Sequence, residues 1–97
     1  MIIRSFQAES DLIAIWLTVA GENPFAADRV LDGIDARSRQ LLAHPYSGTA
    51  RDDISPGIRC LVDGNYRIFY RLIEPDTVEL VRIMHGRRDM DADDFRP

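Results

Sequence analysis

One change in hydrophobic period limits the fold of this chain more than any other feature of its sequence. Between Ala8 and Leu42, apolar residues recur at steps of three and four, which is the spacing of a helix face. Between Ile58 and His85, branched and aromatic residues form short runs divided by turn residues, which is typical of strands. The sequence therefore predicts a helical N-terminal half and a sheet-forming C-terminal half, an α+β arrangement.

The N-terminal half begins with a predicted short strand and a first helix. The strand is suggested by Ile2, Ile3 and Phe6. The apolar face of the helix is formed by Ala8, Leu12, Ile15, Trp16 and Val19. Gly21 closes this helix, because glycine is common just past a helix end.

A second predicted helix starts at Asn23 and Pro24. Asparagine can cap free backbone amides, and proline is favoured at the first helical position. The helix should stop near His44, because Pro45 disfavours helical geometry in the residue before it. Since only residues 21–23 separate the two helices, they should form an antiparallel hairpin.

The C-terminal half predicts three strands after a loop at residues 45–57. The strands are Ile58–Val62, Tyr66–Ile73 and Thr77–His85, with turns at Asp63-Gly64 and Glu74-Pro75-Asp76. The last strand is partly apolar on both sides, which predicts a central place in the sheet. The expected fold is β-α-α-β-β-β, a helical hairpin packed on a mainly antiparallel four-stranded sheet, in a single domain of residues 1–97.

Composition and charge favour a globular cytoplasmic protein. No apolar run approaches the ~20 residues of a membrane span, and the N-terminus lacks the features of a signal peptide. The single cysteine, Cys60, also fits the cytoplasm, because small secreted domains usually carry several disulfides. The net charge of −4 argues against direct binding to free nucleic acid, for which a domain of this size is usually basic.

Several segments in this order resemble the RelE/ParE superfamily of bacterial toxins, and its ParE-like branch in particular. The second helix ends in Leu41-Leu42-Ala43-His44-Pro45, and the strand hairpin contains Tyr66-Arg67-Ile68-Phe69-Tyr70-Arg71. The most distinctive segment is His85-Gly86-Arg87-Arg88-Asp89, which follows an apolar strand. The resemblance covers nearly the whole chain.

The resemblance implies a toxin of a type II toxin–antitoxin system that a cognate antitoxin binds and silences in a hetero-oligomer. ParE-like members inhibit DNA gyrase by binding it, so this reading gives the chain no catalytic residues. RelE-like members are ribosome-dependent endoribonucleases, which is the alternative. A third hypothesis is a non-toxic, degenerate member that only binds antitoxin.

The nuclease alternative needs a proton-transfer group and cations for the phosphate. RelE-like proteins commonly use lysines, arginines and a C-terminal tyrosine. All twelve basic residues here are arginine, and no tyrosine follows Tyr70. A nuclease site would therefore use His85 as acid or base, with Arg59, Arg67 and Arg82 on the phosphate.

The resemblance also suggests residues that bind the antitoxin or the target. Arg67 and Arg71 share one face of the second predicted strand with Phe69 and Ile73, and cross-strand pairing with Glu79 is the structural alternative. The full candidate set is Arg59, Arg67, Arg71, Arg82, His85, Arg87, Arg88 and Asp89. Two histidines in separate elements predict no metal site, and no glycine pattern for a phosphate cofactor is present.

Overall fold

The structure is a computed structural model, and it describes residues 1–86 and Phe95. Strand β1 is Ile2–Arg4, helix α1 is Phe6–Ala20, and helix α2 is Pro24–Arg39, followed by a 3₁₀ turn at Gln40–Leu42. The remaining strands are β2 Thr49–Ala50, β3 Arg59–Asp63, β4 Tyr66–Ile73 and β5 Thr77–His85. The predicted α+β class and helical hairpin are confirmed, and the predicted element order matches apart from the added strand β2. The second helix ends at Arg39, before the predicted stop near His44, because its last turn tightens into the 3₁₀ turn.

The strands form one sheet in the order β1-β5-β4-β3-β2. β1 runs parallel to β5, and all other neighbours are antiparallel. β5 therefore has a strand on each side, as its two apolar faces predicted. The expected four strands are joined by a fifth, because Thr49 and Ala50 pair with Cys60 and Arg59 inside the predicted loop.

The first helix starts earlier than its apolar period indicated. The sequence pattern predicts Phe6 in the first strand, but it is the first residue of α1 and is 86% exposed. Ser5 explains this start, because its hydroxyl accepts a hydrogen bond from the Ala8 amide at 3.0 Å. The same hydroxyl donates to the Val81 carbonyl at 2.8 Å, which fixes the helix start beside β5. No helix in the described residues is long and apolar enough to cross a membrane.

Two apolar clusters lie on opposite faces of the sheet. The cluster between the sheet and the helices contains buried residues of both, among them Leu12, Ile34, Leu41, Ile68, Tyr70 and Ile83. The cluster on the outer face consists of Ile58, Cys60, Phe69, Val81, Met84 and Phe95. The Phe95 ring meets Phe69 edge to face, with centroids 4.9 Å apart. Both faces of the sheet therefore carry a packed apolar cluster.

We expect Leu41→Ala to lower the free energy of unfolding by about 2–5 kcal/mol, because it leaves a cavity in the helix-side core. Leu41 is fully buried, whereas its neighbour Leu42 is 55% exposed. Leu42→Ala is thus the matched control and should change stability much less. Urea unfolding measures both, and equal losses would contradict this packing.

Candidate functional site

A groove with apolar walls runs along the helical hairpin, and we call it the hairpin groove. Its volume is about 1080 Å³. Its apolar walls include Leu12, Ile13, Trp16, Leu17, Leu31 and Leu42, and its floor includes Ile2 and Leu80. Ile13 is 60% exposed and Leu17 is 61% exposed, although both are large apolar side chains. Exposed apolar surface of this extent marks a place where another molecule binds.

The groove forms because α1 carries apolar residues on two sides. Leu12 is buried in the core and borders the groove from below, whereas Ile13 and Leu17, one turn apart, line the groove and are exposed. The indole nitrogen of Trp16 donates to the Asp28 carboxylate at 2.9 Å, which links α1 to α2 beside the groove. Trp16 is the chain's single tryptophan, so its fluorescence reports on this surface.

Charged side chains form the rim of the groove. Arg4 lies 3.5 Å from Glu9 and 3.8 Å from Asp35, and Arg39 lies 3.0 Å from the second Asp35 oxygen. Within the described part of the chain, the fifth rim charge, Asp32, makes no ion pair. These side chains are largely solvent-exposed, so each pair contributes little to stability and can exchange partners with a bound molecule.

Arg59, a predicted site residue, holds the loop after α2. Its guanidinium donates to the backbone oxygens of Tyr46 at 3.0 Å and Gly48 at 2.7 Å, and it lies 5.3 Å from the centre of the Tyr46 ring. Tyr70 acts on the same loop, because its hydroxyl donates to the Pro45 oxygen and accepts from the Gly48 amide. A Cβ at Gly48 would lie 2.6 Å from that hydroxyl oxygen, so only glycine fits.

Arg82 is bound to α1. Its Nε and a terminal nitrogen donate to the two Asp11 carboxylate oxygens at 2.8 and 2.9 Å, and both side chains are nearly buried. Asp11 also accepts the Ile83 amide at 2.9 Å. Sequence reasoning missed Asp11, because its polar position on α1 looks like an ordinary solvent-facing one.

Arg67 and Arg71 lie on β4, on the outer face of the sheet. Arg67 pairs in register with Val62 and Met84, and Arg71 pairs in register with Glu79, the residue expected opposite it. His85 lies on the other side of the sheet, where its ring meets Tyr66 edge to face at 5.5 Å. Three further predicted residues fall outside the described residues: Arg87, Arg88 and Asp89.

The four residues of the nuclease alternative do not all share one face of the sheet. Arg59 pairs in register with Tyr70 and lies on the helix-side face, whereas Arg67 shares the outer face with Phe69. Arg82 binds Asp11. No group of three or more metal-ligating side chains occurs among residues 1–86 and Phe95.

Burial raises the pKa of the Cys60 thiol, and Arg67 and Arg51 oppose this shift in part. Cys60 is 8% exposed and packs in the cluster on the outer face of the sheet. Because the folded-state pKa is the higher one, the unfolded chain loses its proton first as the pH rises. We expect the stability that the protonated thiol contributes to be present below about pH 8.5 and to fall above it.

Urea midpoints of the wild type and of Cys60→Val between pH 7 and 10 test this expectation. The wild type should lose more stability than the variant at alkaline pH. Parallel pH profiles would show that the thiol is not the group responsible.

Comparison with known proteins gives consistent matches. A family model described as the ParE toxin of the type II toxin–antitoxin system, parDE, matches residues 2–90. Toxin ParE1, from two strains of Mycobacterium tuberculosis, is 43% identical over 65 residues, which span 67% of this chain but only 66% of that protein. Toxin ParE3 of Caulobacter vibrioides is 30% identical over 92 residues, or 94% of this chain and 91% of that protein.

A solved structure has a similar fold. It belongs to a chromosomal ParDE toxin–antitoxin system from P. aeruginosa, with a TM-score of 0.71 and 22% sequence identity. The match covers 87% of this chain and 92% of that one. It therefore supports the arrangement of two helices on a mixed sheet.

Proposed function

The chain belongs to the ParE toxin family of type II toxin–antitoxin systems, and we propose that it inhibits DNA gyrase by binding and is neutralised by a cognate antitoxin. The hairpin groove is the observation that carries the antitoxin part of this proposal. A groove between two antiparallel helices suits a third, amphipathic helix, whose apolar residues at steps of three and four would cover Ile13, Trp16 and Leu17.

The charged rim supports a peptide occupant. Two residues of the rim are positively charged, Arg4 and Arg39. Three are negatively charged: Glu9, Asp32 and Asp35. A helix with an apolar stripe and charges of both signs on its flanks could form ion pairs with both kinds of rim residue. Asp32, which has no partner among residues 1–86 and Phe95, favours a basic residue of the antitoxin beside it.

The family role and the arrangement of the arginines support inhibition by binding. Arg59 and Arg82, the predicted phosphate ligands, instead bind the loop after α2 and Asp11. We assign target binding to the outer sheet face around Arg67 and Arg71, together with Arg87, Arg88 and Asp89, which follow β5 in the sequence. A toxin that acts on gyrase would work in the cytoplasm, and this location is part of the proposal.

A gyrase supercoiling assay with the purified chain tests the target. Inhibition should rise with the ratio of chain to gyrase and disappear when the cognate antitoxin is added. Arg67→Ala/Arg71→Ala should weaken inhibition, whereas Arg29→Ala, which removes an exposed arginine of α2, should not. Normal supercoiling at a large excess of the chain would refute gyrase as the target.

A further inference from the structure

A second depression lies beyond the end of the helical hairpin, where the loop after the 3₁₀ turn faces the β4–β5 turn. We call it the turn pocket; its volume is about 290 Å³. Three of its wall residues are exposed apolar side chains: Leu42 is 55% exposed, Tyr46 72% and Ile73 39%. Ligand pockets start at about 300 Å³, so a depression of this size suits one or two side chains of a protein partner.

The turn pocket and the hairpin groove meet at one side chain. Leu42 lines both of them, so the two apolar surfaces are neighbours on the molecule. A partner segment held in the groove has its next residues close to the pocket. Their binding then costs less entropy than the binding of a separate molecule, because the segment is already held in place.

The turn pocket has an acidic wall. Glu74 and Asp76 line it, and no arginine does. Neither carboxylate forms an ion pair with another residue that the structure describes. The N-terminal ammonium of Met1 donates to the backbone oxygen of Asp76 at 2.9 Å, which is a different acceptor from the carboxylate. The pocket therefore favours a partner segment that carries positive charge.

We propose that the antitoxin segment in the hairpin groove continues past Leu42, inserts an apolar side chain into the turn pocket and places a basic residue beside Glu74 and Asp76. This inference rests on the proposed function, because it takes the occupant of the groove to be the cognate antitoxin. It adds a second contact between antitoxin and toxin. It also specifies the order of features along the antitoxin sequence: an amphipathic helix, then an apolar residue with a basic neighbour.

The affinity of the purified cognate antitoxin for variants of the chain tests the apolar contact. Ile73→Ser should weaken binding about tenfold or more, as expected for a buried interface anchor. Val62→Ser is the matched control, because Val62 is an apolar strand residue that is 53% exposed and lies outside both surfaces. It should bind as the wild type does.

A groove variant, Ile13→Ser, separates the two ways in which this experiment can fail. Loss of affinity in Ile13→Ser but not in Ile73→Ser would overturn the turn pocket and leave the groove in place. Wild-type affinity in both variants would overturn the groove as the antitoxin site, and with it the present inference.

The charge contact has its own control. Glu74→Gln should weaken binding several-fold at low salt and make binding less dependent on salt, whereas Glu22→Gln at the distant hairpin tip should not.

Hydrogen exchange in the wild-type complex tests the same contact without any substitution. Antitoxin should slow the exchange of the backbone amides of residues 72–78, and unchanged exchange there would overturn the proposal.

Discussion

Asp11→Ala is expected to lower the free energy of unfolding by about 3–5 kcal/mol, because it leaves the Arg82 guanidinium nearly buried without its carboxylate. The two side chains are 13% and 12% exposed, and two hydrogen bonds join them at 2.8 and 2.9 Å. Asp11 also accepts the Ile83 amide, so the variant loses that hydrogen bond as well. A loss of this size is a large share of the stability of a small domain.

An exposed ion pair of the same residue types gives the control. Arg51 donates to both carboxylate oxygens of Asp53 at 3.0 and 3.1 Å, but the Asp53 side chain is 67% exposed. Asp53→Ala should leave the thermal midpoint close to that of the wild type, because solvent screens this pair. The thermal midpoint of Asp11→Asn should lie between those of the wild type and Asp11→Ala, since asparagine keeps an acceptor for the Ile83 amide. Equal midpoints for Asp11→Ala and Asp53→Ala would contradict the assigned role of Asp11.

The second large effect is expected on antitoxin binding. Ile13→Ser/Leu17→Ser should weaken the affinity for the cognate antitoxin by about a hundredfold or more, because it removes two exposed apolar side chains that line the groove. Both residues are more than half exposed, so the substitutions should cost little folding stability. Binding can be followed by the fluorescence of Trp16, with calorimetry as an independent measurement.

Phe6→Ser/Phe25→Ser is the matched control for the groove variant. These two residues are also exposed apolar residues of α1 and α2, at 86% and 80%, but they do not line the groove. The double variant should bind the antitoxin as the wild type does. Its Trp16 fluorescence should change on binding by the same amount as that of the wild type. In cells, the groove variant should remain toxic when antitoxin is co-expressed, whereas the control should be neutralised. Equal affinities for the two variants would place the antitoxin elsewhere.

The elements of the fold were predictable because their apolar periods are regular. Both helices and the three longer strands carry such a period, and capping residues such as Asn23 mark their ends. β2 was missed because Thr49 and Ala50 are too few to show a period, and they become a strand only by pairing with β3. Phe6 was misplaced because an apolar residue near Ile2 and Ile3 fits a strand. Ser5 instead caps α1, so the helix begins at Phe6.

The site was less predictable, because it depends on where side chains point after packing. Phe69 pairs with Arg82 and Tyr70 pairs with Leu80, so the register shifts at Val81. A strict alternation along β5 cannot foresee this shift. The sequence does indicate the groove. Residues of α1 are apolar around the whole helix over Leu12-Ile13-Ala14-Ile15-Trp16-Leu17, and a helix that packs on the core with one face cannot bury all six side chains.

The most direct test of a gyrase-inhibiting toxin is the order in which synthesis fails after the chain is induced without its antitoxin. Incorporation of labelled precursors into DNA and into protein should be followed in one culture over the first minutes. The proposed function predicts that DNA synthesis falls first and that co-expressed antitoxin prevents the fall. An earlier fall in protein synthesis would contradict it and would point to messenger RNA on the ribosome as the target.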